Sequence, residues 1–382
     1  MSVDGLRVAL FSGNYNYVRD GANQALNRLV GYLMRQGMGV RTYSPVVDQP
    51  AFAPTGPLVG VPAVPIPGRS EYRMPVALAF AARRDLGRFA PHIVHVSSPD
   101  LLGHRAVTWA RQRGIPVLAS VHTRFETYPR YYGMQMLEPL MLRGLRRFYN
   151  RCDALVAPSP SMVSLLQEQG MNEDVSLWTR GVDHTIFNAD RRDLAWRRSM
   201  GIADNERVVG FLGRLVMEKG LDVFAASVAQ LLERGVAHRV MVIGEGPGRD
   251  WFAAHVPEAI FTGHQTGAEL GRAVASMDVF FNPSVTETFG NVTLEAMACA
   301  VPVVAAAATG SSNLVKHQVT GMLVAPQNCA GFVEALSGYL LDPALARRHG
   351  TAGERLASDY DWDSVNSAVT GAYARLLRER QD

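Results

Sequence analysis

Cysteine is scarce in this chain of 382 residues, and the few cysteines are far apart. The three are Cys152, Cys299 and Cys329, and no CxxC pair occurs. This spacing indicates neither a zinc site nor a disulfide framework. Charge of one sign is also lacking, because 38 Lys and Arg stand against 35 Asp and Glu, a net charge of +3. So small a surplus does not favour a nucleic-acid-binding protein.

Long hydrophobic segments are absent as well. The longest apolar runs, Met74–Ala82 and Cys299–Ala308, each contain proline and are too short to span a bilayer. The N-terminus carries Asp4 and only a short apolar run, unlike a signal peptide. Hydrophobic residues nevertheless make up 47% of the chain and charged residues 19%, which argues against disorder and against a coiled coil. We therefore expect a soluble, cytoplasmic protein with a packed core.

Short β-branched runs alternate with longer helical patterns along almost the whole chain. The predicted strands lie near Leu6–Ser12, Val40–Ser44, Ala63–Ile66, Ile93–Ser97, Val117–His122, Ala154–Pro158, Arg207–Gly213, Arg239–Gly244, Ile260–Thr262, Val279–Asn282, Val301–Ala305 and Gly321–Val324. Buried strands that alternate with helices predict parallel, doubly wound sheets. The length is about twice that of an ordinary domain, so we expect two such sheets. The joint between them is expected in the loop Arg180–Asn188, and a final helix runs from about Asp361 to Arg378.

Local signatures mark the start of several helices. Ser98-Pro99 and Ser159-Pro160 each predict an N-cap serine with proline at the first helical position. Thr266 and Glu269 have the spacing of a capping box.

Two glutamates are the only charged residues in the apolar stretch Val279–Val315. Glu295 lies on a predicted helix, where a carboxylate is costly unless it is hydrogen-bonded, and one interpretation is that it bonds loop amides or an arginine. The loop before this helix favours another interpretation, in which Glu295 contacts a ligand. Gly290 lets the backbone approach a ligand, and the free amides at the helix start attract a diphosphate. Glu295 would then bind the hydroxyls of an attached ribose, and Glu287 those of the group that the diphosphate carries, as in a nucleoside-diphosphate sugar.

Two cations follow the strand Arg207–Gly213. Arg214 and Lys219 stand where this strand ends and a helix begins, which suits them to neutralise a leaving pyrophosphate without a metal. The alternative is a solvated loop pair with Glu218.

Four segments of the second half resemble one family. Phe211–Leu221, Gly244–Gly246, Phe261–His264 and Pro283–Val304 look like the second domain of retaining glycosyltransferases of family 4, whose signature is the Glu-x7-Glu spacing. The resemblance covers nearly the whole chain and implies the α/β GT-B fold, with two doubly wound, Rossmann-like parallel-sheet domains facing a central cleft. It implies an acceptor-binding domain at residues 1–185, a nucleotide-sugar-binding domain at 186–358, and a C-terminal helix at 359–382 that returns to the first domain.

The resemblance also implies a role for each matching residue. The catalytic set is His122, Arg214, Lys219 and Glu287. The donor-binding set is Gly21, Gly213, Arg214, Lys219, Gly244, Glu245, His264, Glu287, Thr288, Phe289, Gly290, Asn291, Val292 and Glu295. The acceptor-binding set is Asp20, Ser98, Arg124, Glu126 and Tyr128. No metal is expected, and no cofactor beyond the nucleotide sugar, which is a co-substrate.

Three positions depart from the family pattern. Asp20-Gly21 stands where a double glycine is common, and Ala300 replaces a glycine that usually follows the Glu-x7-Glu helix. Thr309–Asn313 replaces a typical Gly-Gly-x-x-Glu turn, which borders the cleft and bears on donor fit.

A lipid acceptor is indicated by two observations. The SSP, HT and LWTRGVD segments resemble the branch with sulfoquinovosyl-diacylglycerol synthases and lipid-directed mannosyl and glucuronosyl transferases. Met134–Arg151 combines an apolar face with arginines, a pattern that suits an anionic membrane surface and would place the protein on the inner face of the plasma membrane. The alternative is an ordinary amphipathic helix packed on the sheet, with solvated arginines.

The resulting hypothesis is a retaining hexosyltransferase, which moves a hexose or uronic acid from a UDP- or GDP-linked sugar to a hydroxyl of a glycerolipid or sphingolipid. Retention is implied by the resemblance. A soluble sugar or polysaccharide acceptor is the main alternative. Rivals of other classes are a nucleotide-sugar epimerase, a dinucleotide oxidoreductase, which lacks its Gly-rich fingerprint here, and a catalytically silent sugar-nucleotide-binding or scaffold protein.

Overall fold

The computed structural model describes residues 4–18, 20–66, 69–125 and 135–380. The chain divides into two compact units. The first unit comprises Met1–Thr179 and Trp362–Asp382, and the second comprises Arg180–Asp361. The sequence predicted boundaries at 185 and 358.

The first unit is built on a parallel sheet. Its strands are β1 (Arg7–Phe11), β2 (Gly39–Pro45), β3 (Leu58–Val61), β4 (Ala63–Ile66), β5 (Arg69–Pro75), β6 (Ile93–Val96), β7 (Val117–Ser120), β8 (Ala154–Ala157) and β9 (Val175–Leu177). Within the described residues, seven of them form one sheet in the order β3-β2-β1-β6-β7-β8-β9, and β4 pairs with β5 in a separate antiparallel hairpin. Strands such as β6 and β8 are buried at every position, as expected for a sheet covered on both faces.

Helices cover both faces of this sheet. They are α1 (Gly21–Arg35), α2 (Phe80–Phe89), α3 (Leu101–Arg111), α4 (Glu138–Tyr149) and α5 (Pro160–Glu168). The last helix of the chain (Trp362–Arg378) also belongs to this unit and completes one of its two hydrophobic clusters with Val365, Val369 and Tyr373.

The second unit repeats the architecture. Its strands are β10 (Val208–Leu212), β11 (Arg239–Ile243), β12 (Ile260–Gly263), β13 (Val279–Asn282), β14 (Val303–Ala306) and β15 (Gly321–Val324), in the parallel order β12-β11-β10-β13-β14-β15. Its helices are α6 (Leu194–Ser199), α7 (Leu221–Glu233), α8 (Arg249–His255), α9 (Gly267–Ala275), α10 (Asn291–Ala298), α11 (Ser311–Leu314), α12 (Cys329–Leu341) and α13 (Pro343–Ala357), so the last helix of the chain is α14.

The predicted fold class, two doubly wound parallel sheets, is confirmed. Three strands escaped prediction: β3, β5 and β9. The strand Ala63–Ile66 exists, but it lies in the hairpin and not in a parallel sheet. No helix of the described residues is long and apolar enough to cross a bilayer.

The predicted helix caps have mixed outcomes. Ser159 caps α5 through its hydroxyl, as predicted. The predicted cap at Ser98 is wrong, because α3 begins two residues later and Asp100 accepts the bond from the Gly103 amide. The predicted capping box at Thr266 is also wrong, since the Thr266 side chain makes no capping hydrogen bond.

Ala300, one of the departures from the family pattern, has a left-handed backbone. Its φ is +54°, and it lies just beyond the end of α10. Its carbonyl oxygen is close to Gly350 of α13, where a Cβ would come within 2.1 Å of that oxygen. An L side chain in this conformation is strained by about 1–2 kcal/mol, and glycine is not.

Ala300→Gly is therefore expected to raise the free energy of unfolding by about 0.5–1 kcal/mol, because the relief of strain exceeds the added entropy of the unfolded chain. Urea unfolding of the purified protein measures this. The matched control is Ala296→Gly, in the interior of α10, which is expected to lower stability by about 1 kcal/mol or more. A loss of stability in Ala300→Gly as well would contradict the prediction.

Candidate functional site

Two glycines bring neighbouring strands together at the carboxyl edge of the second sheet. Gly213 follows β10 with φ +149°, and Gly244 follows β11 with φ +134°. A Cβ on Gly244 would lie 2.0 Å from the carbonyl oxygen of Gly213, so only glycine permits this backbone contact. The two predicted donor-binding glycines thus lie side by side.

Backbone hydrogen bonds join the loops that follow these glycines. The Leu215 amide donates to the carbonyl of Glu245 at 3.0 Å, and the Gly248 amide donates to the carbonyl of Leu215 at 2.8 Å. The side chain of Glu245 forms an ion pair with Arg249 (3.4 Å). His264, another predicted donor-binding residue, is exposed beyond the end of β12.

The loop after β13 ends at a helix start that no side chain caps. Gly290 occupies the N-cap position of α10 with φ +98°, and its neighbour Phe289 is buried with its ring 6.0 Å from that of Tyr360. Asn282 fixes the base of the loop by donating to the Thr293 hydroxyl at 3.1 Å. The amides at the start of α10 are therefore left without side-chain caps and can attract an anion.

Lys219 and Glu287 form an ion pair. The Lys219 Nζ lies 2.5 Å from Glu287 Oε1, and their side chains are 29% and 14% exposed. The alternative from the sequence, a loop pair with Glu218, is not formed by Lys219, which pairs with Glu287 instead. The two loops are held together because Gly220 packs against Pro283, where a Cβ would come within 3.1 Å. Gly310 supports Glu287 from the other side, since a Cβ there would lie 2.6 Å from the Glu287 carbonyl oxygen.

Glu295 lies on α10 without a hydrogen-bond partner among the described residues. The interpretation in which it bonds loop amides or an arginine is therefore wrong for this part of the chain. Burial of the carboxyl raises its pKa from 4.5 to about 8, and the nearby charge of Glu287 adds to the shift. A carboxyl group left in this state has its full hydrogen-bonding capacity available to a ligand.

The edge of the second sheet thus brings together residues that are 68 or more positions apart in the sequence. A cation, two carboxyl groups and the start of a helix are adjacent, and the exposed Arg214 follows the same strand as Lys219. Such a set binds a phosphate through the cation and amides, and hydroxyl groups through the carboxyls.

In the first unit, Asp20 is the N-cap of α1. Its carboxylate accepts from the Asn23 amide (2.8 Å) and from the Asn14 side chain (3.0 Å), while Asn23 returns a bond to the Asp20 amide. Burial raises the pKa of the Asp20 carboxyl, although these bonds oppose the shift. Gly21, a predicted donor-binding residue, is the first residue of this helix.

Ser98 ties the loop after β6 to the loop after β1. Its hydroxyl accepts from the Gly13 amide at 3.1 Å and donates to Asp100 Oδ2 at 2.7 Å. A Cβ on Gly13 would lie 2.5 Å from that same carboxylate oxygen, so the two loops are in direct contact. Ser98 and Asp20, two predicted acceptor-binding residues, therefore both make hydrogen bonds that hold the loops at this edge of the sheet.

His122 follows β7 and is 9% exposed. Its Nε2 lies 2.9 Å from the Ser120 hydroxyl oxygen, and its ring lies edge-on to that of Trp178, with centroids 5.5 Å apart. Arg124 is two residues further on and half-buried. The predicted acceptor-binding residues Glu126 and Tyr128 lie outside the described residues.

Sequence reasoning missed two neighbours of His122. Ser120 was detectable, because residues two apart along an extended segment lie on the same face. Trp178 was not, since it comes from the end of β9, more than 50 positions later, and that strand escaped prediction.

Two family models match the chain, one in each half. Residues 19–186 match "Glycosyltransferase Family 4", and residues 206–342 match "Glycosyl transferases group 1". A GDP-mannose-dependent alpha-mannosyltransferase of Mycolicibacterium smegmatis is 32% identical over 98% of this chain and 99% of its own length. A sulfoquinovosyl transferase of Arabidopsis thaliana is 30% identical over 95% of this chain and 72% of its own.

A solved structure shares the fold. The sucrose-phosphate synthase of Thermosynechococcus elongatus superposes with a TM-score of 0.82, covering 98% of this chain and 100% of that one, at 20% identity.

Glu295→Gln is expected to change how stability depends on pH. The fold keeps this carboxyl protonated up to about pH 8, whereas the unfolded chain ionises it near pH 4.5. Its contribution to the free energy of unfolding is therefore full below pH 4.5 and is lost as the pH rises through 8. The variant should match wild type at pH 5 and exceed it by roughly 2–4 kcal/mol at pH 9, measured by urea unfolding.

The control for this measurement is Glu258→Gln, which removes an exposed carboxyl of the same unit. Its free energy of unfolding is expected to differ from that of wild type by the same amount at every pH. Parallel curves for Glu295→Gln too would show that the carboxyl ionises normally.

Proposed function

The chain belongs to glycosyltransferase family 4, and we propose that it transfers a hexosyl group from a nucleoside-diphosphate sugar to a membrane lipid with retention at the anomeric carbon. Use of a nucleotide sugar and hexosyl transfer are properties of the family to which its relatives belong. The observation that carries the donor part of this proposal is the pairing of Lys219 with Glu287 beside the start of α10, where Glu295 has no partner among the described residues.

Donor binding exchanges the partners of this ion pair. In the proposed complex the diphosphate takes the ammonium of Lys219, together with Arg214 and the amides at the start of α10. Glu287 then accepts hydroxyl groups of the sugar, and Glu295 those of the ribose. Relatives named as GDP-mannose-dependent make GDP-mannose the first donor to test, with UDP-linked hexoses and uronic acids next.

The proposed chemistry keeps donor and acceptor on the same face of the sugar. The bond from the anomeric carbon to the diphosphate oxygen breaks while the acceptor oxygen bonds to that carbon, and the acceptor proton passes to the departing phosphate oxygen. Arg214 and Lys219 stabilise the charge on this leaving group, which is work that a metal does in other enzymes. His122 matches a family histidine that is usually placed beside the transferred sugar, and by that match it would assist at the positive charge that develops on the sugar ring.

A lipid acceptor is supported by the exposed face of α4. The helix buries Leu145, Phe148 and Tyr149 against the sheet, so one face is ordinary core. Residues just before and within its first turn are exposed instead, with Met136 at 87% and Leu140 at 63%. Arg143, Arg146 and Arg147 are exposed on the same helix. Exposed apolar side chains beside arginines suit the interface of an anionic bilayer.

Other exposed apolar residues lie at the same edge of the first sheet. Leu101, 50% exposed, begins α3 directly after β6. Val64 and Met74 are exposed neighbours across the β4–β5 hairpin. Tyr17 ties this hairpin to the loop after β1, because its hydroxyl donates to the Gly13 carbonyl and accepts from the Arg73 amide. Exposed apolar side chains on several segments of the first unit support a lipid acceptor over a soluble glycan.

The first test of this function is a transfer assay with UDP- and GDP-sugars and a membrane lipid extract. Labelled lipid should form from one donor, and Lys219→Ala and Glu287→Ala should each lose roughly 10²-fold or more in rate, because each removes a group that holds or neutralises the donor. Lys316→Ala is the matched control, since Lys316 is exposed and is the only other lysine in the sequence.

The outcomes of this assay separate the alternatives. Donor hydrolysis without labelled lipid would move the acceptor to a soluble glycan. Interconversion of free donor sugars would make the protein an epimerase. No turnover of any donor would favour a silent binding protein.

The membrane contact is tested by co-sedimentation with vesicles that contain anionic phospholipid. The double variant Leu140→Ser/Arg147→Glu should bind roughly tenfold or more weakly, because it removes an exposed apolar group that would enter the bilayer interface and reverses a charge at the surface. The control is Leu232→Ser/Arg234→Glu, an exposed pair of the second unit that should leave binding unchanged. Equal binding of the first variant and wild type would remove the support for a lipid acceptor.

A further inference from the structure

Contacts with Ser120 and Trp178 hold the imidazole of His122 inside the first unit. The Ser120 hydroxyl contacts its Nε2 at 2.9 Å, and the indole of Trp178 lies against the ring at an interplanar angle of 70°. Ser120 and Trp178 are each 1% exposed, so neither contact is exchanged for water. One hydrogen bond and one ring contact together define both the position of a ring nitrogen and the plane of the ring.

Trp178 is oriented in turn by the last helix of the chain. Its indole Nε1, the only hydrogen-bond donor of the side chain, donates to Asn366 Oδ1 at 3.2 Å. Asn366 lies on α14 and is fully buried. Its Nδ2 has no hydrogen-bond partner among the described residues. A buried amide with an unmade bond is unfavourable for stability, and an apolar side chain of the same size would avoid that cost.

A second polar contact from α14 reaches the surroundings of the indole through His95. Tyr373 is seven residues beyond Asn366, so both project from the same face of the helix. The Tyr373 hydroxyl lies 2.6 Å from Nδ1 of His95, and the His95 ring is edge-on to Trp178 with centroids 6.2 Å apart. Burial lowers the pKa of His95 to about 3, so this ring is neutral and brings no charge into the core.

We infer that α14 positions the imidazole of His122, through the hydrogen bond from Trp178 to Asn366. Asn366 and Trp178 are positioning residues for the transfer reaction, and neither contacts substrate itself. The inference rests on the proposed function, in which His122 lies beside the transferred sugar. It gives the C-terminal helix a part in the reaction beyond closing a hydrophobic cluster.

Asn366→Leu tests the inference, because leucine is close in size and apolar but accepts no hydrogen bond from Trp178. Without this bond, the Trp178 indole should change its orientation relative to the His122 ring. We expect a shift of the His122 ring signals in ¹⁵N-correlated NMR spectra, assigned by their loss in His122→Gln, and a roughly tenfold fall in kcat with little change in the KM for the donor. Asn366→Ala serves as the second variant and is expected to give the same shift.

The matched control is Val369→Ala on the same buried face of α14. It creates a cavity and lowers the melting temperature, but it leaves the bond between Trp178 and Asn366 in place. Its His122 signals and its kcat should match wild type, which separates positioning from general loss of stability.

Unchanged His122 signals in both Asn366 variants would overturn the inference, as would shifted signals with an unchanged kcat. The failure of the proposed function is distinguishable from this result. If wild type turned over no donor, the transferase would be withdrawn, and the ring signals would still decide whether α14 positions the imidazole.

Discussion

All paired strands of each main sheet run in the same direction, and this one constraint determines where chemistry is possible in each unit. The carboxyl ends of parallel strands meet at one edge, where the backbone leaves the sheet and its amides become available. In the second unit this edge gathers Gly213, Gly244, Lys219 and Glu287 from three strands. Gly244 is required there because a Cβ would collide with the Gly213 carbonyl oxygen, and Gly213 is favoured by its positive φ.

Without a bound ligand, the arrangement of charges at this edge lowers the stability of the protein. Glu295 is kept partly out of water with no partner in the described residues, and Glu287 nearby raises its pKa further. The ion pair between Lys219 and Glu287 offsets part of this cost before a donor arrives. A nucleotide sugar would supply what is missing, since its phosphates take the cation and its hydroxyls take both carboxyls. The site is thus organised around interactions that a donor completes.

Much of this could be predicted from the sequence, because strand–helix alternation and the positions of glycine and charge are local signals. Glu287, Glu295 and Lys219 were identified from an apolar setting and from strand ends. What could not be predicted depends on pairing over long separations. The choice of Glu287 over Glu218 by Lys219 is one example, and the contact of His122 with Trp178 is another. The Ser98 prediction failed because Asp100, a better acceptor for the amides of α3, stands two residues further on.

The first unit is assembled from the N-terminal and C-terminal parts of the chain, and the surroundings of His122, which follows β7, depend on both. The cluster that includes Val8 and Leu10 of β1 is completed by Val369 and Tyr373 of α14. These contacts join residues more than 350 positions apart, and such contacts form late because the intervening chain must be ordered first. Trp178 obtains its hydrogen bond from the same helix. The surroundings of His122 are therefore complete only when the whole chain has folded.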